Sequence, residues 1–211
     1  VITCACQPAI SAERLAAFTE LTPGMRALTF DVLGPSRAKN VSQEAQWDGV
    51  VRAAQAYAAG ATLLPWFVLA GSLGWGKTHL ATAILNWRID HPDDGPPGKY
   101  VNCPDFLAAL RQGIDEGGFE TTLTLYREVP LLLLDDLGAE YQRRRGAEVS
   151  WADEQIYRVL DYRYREKMGT IITTNIELAR VAPRLRDRLQ DRALVAAFGL
   201  NLPSYRTGEI L

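Results

Sequence analysis

Four residues in this chain stand at a spacing that binds phosphate. Gly71, Gly76, Lys77 and Thr78 match G-x4-G-K-[ST] without a mismatch. Glycines at 71, 74 and 76 let the backbone adopt conformations closed to other residues, so that several N–H groups face one anion. A helix starting there aims its positive end at the same point. Lys77 is then the partner of the β- and γ-phosphates, and the Thr78 hydroxyl is a ligand for Mg2+. A bare glycine-rich turn between a strand and a helix is the competing reading. The apolar strand before the loop, Trp66 to Ala70, and the helical pattern after it favour the nucleotide site. The dinucleotide fingerprint has a different glycine order and lacks the Lys-Thr pair.

Asp135 and Asp136 are the second pair with chemistry. They follow four leucines, Leu131 to Leu134, which read as a strand buried on both faces of a parallel sheet. Carboxylates at the C-terminal end of such a strand sit where ligands bind. Asp135 is expected to hold Mg2+, directly or through water, and Asp136 to activate the attacking water as a general base. Asn175 ends another apolar run, Thr170 to Thr174. It reads either as a turn cap or as the residue that orients that water. Together these residues point to a nucleoside triphosphate bound with Mg2+, and to its hydrolysis.

The elements that must carry these groups are legible in outline. A short helix is expected over Ser11 to Glu20, then an extended piece over Leu28 to Asp31. Trp47, Val50, Val51, Ala54 and Tyr57 recur at helical spacing over Ser42 to Ala59, with Gly60 as the stop. A strand is expected over Lys99 to Cys103, and helices over Asp105 to Glu116 and Thr121 to Arg127. A long helix runs from Ala152 to Lys167. Its Arg158, Arg163, Arg165 and Lys167 read as a solvated face. A strand over Val195 to Phe198 comes last. Tyr141 to Gly146, with three arginines, reads as a solvated loop, or alternatively as a basic contact for a DNA backbone or a neighbouring subunit. Pro183 to Arg192 reads as an arginine-rich helix with Arg184, Arg188 and Arg192 on one face.

Bulk properties narrow the class. The chain has 211 residues, enough for one domain with a sizeable core. A formal net charge of −2 argues against wholesale electrostatic binding to nucleic acid, though not against a local basic patch. No apolar run approaches the length of a membrane-spanning helix, and no secretory signal is seen. Three cysteines make no disulfide framework and point to a reducing compartment. The chain begins with Val1, from which we expect a processed or trimmed N-terminus. Cys4 and Cys6 read as incidental thiols, or as the remnant of a zinc site whose other ligands lie upstream; no metal is assigned to them.

Taken together the motifs resemble the DnaC/DnaI-type helicase loaders and the related IstB-type transposition ATPases of the AAA+ class. The carrying pieces are Thr29-Phe30-Asp31, Ala53 to Tyr57, GSLGWGKTHLA, VPLLLLDDLGAE, ITTN, RLRDRLQDR and SYR, collinear from about residue 28 to 206. The resemblance implies an α/β fold: an αβα sandwich on a five-stranded parallel sheet, with little or no C-terminal lid. It implies a domain over 28–211, preceded by a segment 1–27 left from a zinc-binding or partner-binding region. It implies a cytoplasmic ATPase that uses ATP and Mg2+. Asn175 is then the sensor-1 residue, Arg188 an arginine finger acting on a neighbour's site, and Arg206 a weaker sensor-2 candidate. Trp75 and His79, within the motif, join the nucleotide-contacting set. Asp136 replaces the glutamate of many relatives, which implies slow, switch-like hydrolysis. The implied partners are a replicative helicase, single-stranded DNA and further copies of the chain when ATP is bound, with no membrane. Two rival functions stay open: an IstB-like regulator of a transposase, and a nucleotide-dependent interaction module that does not hydrolyse.

Overall fold

The computed structural model describes residues 17–34, 38–138 and 150–204. Five strands form one sheet in the order β2-β3-β4-β1-β5, every neighbouring pair parallel. They are β1 (Trp66–Gly71), β2 (Gly98–Asn102), β3 (Leu131–Leu137), β4 (Gly169–Thr174) and β5 (Val195–Leu200). The helices are α1 (Pro23–Arg26), α2 (Val41–Ala58), α3 (Lys77–Asp90), α4 (Cys103–Glu116), α5 (Phe119–Glu128), α6 (Trp151–Arg165) and α7 (Pro183–Leu189).

Side chains alternate across a strand, so each apolar strand feeds two cores. Trp66, Val68, Leu132, Leu134 and Ile172 pack with Phe106, Leu110, Leu123, Ile156 and Leu160 of α4, α5 and α6. Phe67, Leu69, Leu131, Leu133 and Ile171 pack with Trp47, Val50, Leu80 and Ile84 of α2 and α3. The result is the three-layer α/β sandwich of the AAA+ fold.

Helix ends follow local chemistry. Asn40 caps α2 by accepting from the Gln43 N–H, and Asn102 caps α4 by accepting from that of Asp105. Ser150 and Asp153 close a reciprocal capping box on α6. Gly117 ends α4 at φ 76°, which a side chain would strain.

Several expectations change here. Leu28 to Asp31 is a turn outside the sheet. The arginine-rich helix ends at Leu189, so Arg192 lies beyond α7 and not on its face. Arg163 is not on a solvated face but fully buried. Its guanidinium donates to the carbonyls of Tyr126 (3.1 Å), Arg127 (2.9 Å) and Val129 (2.7 Å), to Thr170 Oγ1 (3.0 Å) and to the Gly169 carbonyl. It thereby satisfies the free carbonyls that end α5. Burial pushes its pKa down to about 10, so it keeps its charge at neutral pH.

No break in packing falls at residue 28. Thr19 is fully buried and Leu21 belongs to the core. Buried Asn86 of α3 donates to the carbonyls of Met25 (2.9 Å) and Leu28 (2.7 Å) and accepts from Arg26 (2.6 Å). Thr19, Leu21, Met25 and Arg26 thus pack with the helix that follows the phosphate loop or with its core. Cys4, Cys6, the arginines of 141–146, Arg206 and the start of the first expected helix lie outside the described residues. So does most of the chain beyond β5 to which the lid expectation applies.

Candidate functional site

The strand order explains how the two motifs meet. β4 lies between β1, which enters the phosphate loop, and β3, which ends in the carboxylates. The tip of β4 must therefore sit between the loop and Asp135.

The loop's glycines have distinct duties. Gly71, at φ 128°, is pressed so closely on β5 that a Cβ there would lie 1.8 Å from the Leu200 carbonyl oxygen. Gly76, at φ 109°, opens α3 with no side-chain cap, which leaves the first-turn N–H groups to an anion. The loop also leans on the chain that follows β5. Ser72 Oγ donates to the Leu202 carbonyl at 3.1 Å, and a Cβ on Gly74 would meet Ser204 Oγ at 1.9 Å.

Lys77 turns back on its own loop, donating to the carbonyls of Gly71 (3.0 Å) and Ser72 (2.6 Å). Thr78 Oγ1 donates to Asp135, 2.9 Å from one oxygen and 3.2 Å from the other. These hydroxyl and carboxylate oxygens suit Mg2+, a hard cation that takes one or two protein ligands and fills the rest with water and phosphate.

A bulge sets the two carboxylates apart. Between the pairs Leu134↔Ile172 and Leu137↔Thr174, β3 has two residues and β4 has one. The one is Thr173, and it serves both aspartates. Its hydroxyl donates to Asp135 Oδ1 at 2.5 Å and accepts the Asp136 N–H at 2.9 Å. Asp136 sits at φ 57°, a conformation that costs a non-glycine residue energy and recurs at functional sites. Its carboxylate accepts from the Asn175 side-chain amide. Asn175 thus lies beside the aspartates as the strand pattern suggested, but its amide is engaged with Asp136 itself.

A cavity of about 600 Å3 joins these groups. Lys77, Thr78, Asp135, Asp136 and Asn175 line one side, and Leu28, Val32 and Leu33 line the other. His79 lines it too, with Nε2 3.0 Å from the Thr29 carbonyl, and so ties that apolar wall to α3. Trp75 and Arg188 contribute no side chain to it, and Arg188 was expected to act on a neighbour's site rather than on its own. The Trp75 side chain is fully buried in the core, edge-on to Trp47 at 6.3 Å, so only its backbone remains for a nucleotide. Arg188 donates to Asp161 and to the Arg184 carbonyl (3.0 Å) and lies over the rings of Tyr157 (5.1 Å) and Tyr164 (5.4 Å). It does not line the cavity.

Three contributors were missed from sequence: Thr173, Tyr100 and the wall at residues 28–33. Tyr100 Oη donates to Asp135 Oδ2 at 3.3 Å. Strand register offered a signal for it, since Tyr100 pairs with Leu133, two residues before Asp135 on the same side of the sheet. The bulge that brings in Thr173 has no such signature.

A family model, "IstB-like ATP binding protein", matches residues 65–198, which hold both motifs, the first four strands and most of the fifth. The chain belongs to this family. An insertion-sequence IS232 ATP-binding protein of Bacillus thuringiensis subsp. berliner is 31% identical over 132 residues, covering 60% of this chain and 49% of that protein. The replicative helicase loader DnaI of Bacillus subtilis (strain 168) is 31% identical over 108 residues, covering 51% of this chain and 32% of its own. The chain thus spans half or less of these relatives' lengths. A crystal structure of the DnaC helicase loader superposes with a TM-score of 0.65 at 22% identity, covering 85% of this chain and 99% of that one. That likeness fixes the fold. Among the described residues, no helix is long and apolar enough to cross a membrane.

Proposed function

We propose that the chain is a slow, switch-like ATPase that loads a replicative helicase onto single-stranded DNA in the cytoplasm. The observation that carries the ATPase reading is the cavity in which the phosphate loop, Thr78, Asp135 and Asp136 converge. Lys77 exchanges its loop carbonyls for the β- and γ-phosphates. Thr78 and Asp135 would hold Mg2+, which would supply neutralisation of the phosphate charge. Asp136 takes the proton of the attacking water. Its side chain is short, its backbone sits at a strained φ of 57°, and its carboxylate is already bonded to Asn175, which accords with slow turnover. Arg188 of one copy completes the site of the next after leaving Asp161, and Arg206 contacts the nucleotide from the tail.

Likeness to DnaI and DnaC supports the loading reading. A second reading, an ATPase that regulates a transposase, draws on the family match and the insertion-sequence relative. Lys77→Ala is expected to abolish ATP binding by calorimetry; unchanged binding would overturn the site. Capture with full-length protein and ATP, probed for purified replicative helicase and for transposase, separates the two partners.

A further inference from the structure

Asp135 is a carboxylate served by three hydroxyl groups. It is nearly buried, and hydroxyls reach it from three elements: Thr78 on α3, Thr173 on β4 and Tyr100 on β2. Thr173 takes one oxygen and Tyr100 the other. The distinction matters because the terminal torsion of aspartate is soft and roughly two-fold. A backbone can place Asp135 without fixing the plane of its carboxylate. A donor on each oxygen fixes that plane.

Thr78 cannot do this alone. Its hydroxyl has one proton, shared between both oxygens, and its oxygen is the atom offered to the cation. Once the cation draws on Thr78, the orientation of Asp135 depends on the donors from the flanking strands.

We infer that Tyr100 is a positioning residue of the metal site, its hydroxyl holding the carboxylate plane of Asp135 in the orientation that meets the Mg2+ of a bound nucleotide. The inference rests on the nucleotide-binding reading above and assigns to a β2 side chain a part in cation affinity. Groups that orient a metal ligand in this way are worth roughly 10–100-fold in metal affinity or activity.

Tyr100→Phe keeps the ring and removes only the hydroxyl. A fluorescent ATP analogue is titrated into the full chain, wild type and variant, with excess Mg2+ and with EDTA. Affinity in EDTA is expected to be equal in the two proteins. The gain in affinity on adding Mg2+ is expected to fall about ten-fold in the variant. The same proteins with Mn2+ and nucleotide, followed by electron paramagnetic resonance, should show weaker Mn2+ binding in the variant. A packing defect would weaken binding equally with and without the metal, and that outcome overturns the inference. So does a variant that keeps the full Mg2+ gain. A wild-type chain that binds no analogue in either condition overturns the nucleotide reading itself, which separates the two failures.

Discussion

Two arginines on neighbouring helices look alike in the sequence and differ in the fold. Arg163 is fully buried, and each of its three side-chain nitrogens donates to protein oxygen, mostly to backbone carbonyls. Arg188 keeps 21% of its side chain exposed and is held by one carboxylate, two aromatic rings and a single backbone carbonyl, that of Arg184, with Nε finding no acceptor. Backbone carbonyls cannot leave, so Arg163 is a permanent fastening between α5, α6 and β4. Most of the groups on Arg188 are side chains, which can rotate, and the one carbonyl lies on its own helix, so its hold is the more releasable. The proposed reach to a neighbouring copy needs this second kind of hold.

Substitutions test this contrast, and the largest effect is expected at Arg163. Arg163→Met leaves several buried carbonyls without donors and should cost about 3–5 kcal/mol. A urea midpoint close to wild type would show that Arg163 does not fasten these elements. Asp161→Asn should cost about 1–2 kcal/mol by removing the charge that Arg188 and Arg165 share and one of its two acceptor oxygens. Burial alone would raise the Asp161 carboxyl, but the Arg188 hydrogen bond and charge hold it below the usual carboxylate value. Its stabilisation is therefore full above that usual value and is lost as pH falls through the lowered one. The stability difference between wild type and Asp161→Asn should thus shrink in acid; a gap independent of pH would count against the ion pair. Arg188→Ala should cost least, about 1 kcal/mol. It should spare ATP binding by the monomer while lowering phosphate release in the assembled state. Loss of monomer binding instead would place Arg188 in its own chain's site.

How much of this was legible in the sequence depended on the range of the interaction. The phosphate loop and the leucine strand are local patterns, and both elements followed from them. Asn175 was placed beside the carboxylates because a strand end is also a local feature. Arg163 was misread because helical spacing gives a face but not its depth, and three of the carbonyls it serves lie 34–37 positions away. Trp75 sits in the loop by sequence and in the core by packing, since Trp47 of α2 offers it an edge. Thr173 was missed because its role depends on a bulge that only the pairing of β3 with β4 creates.

The support beneath the phosphate loop has a consequence for synthesis. Gly71, Ser72 and Gly74 rest against Leu200, Leu202 and Ser204, roughly 130 residues later in the chain. Such distant contacts close late in folding. A nascent chain carries the whole glycine motif long before the tail that steadies it leaves the ribosome. The newborn loop should therefore hold nucleotide poorly until residues 200–204 have emerged, so that tight ATP binding marks a finished sheet.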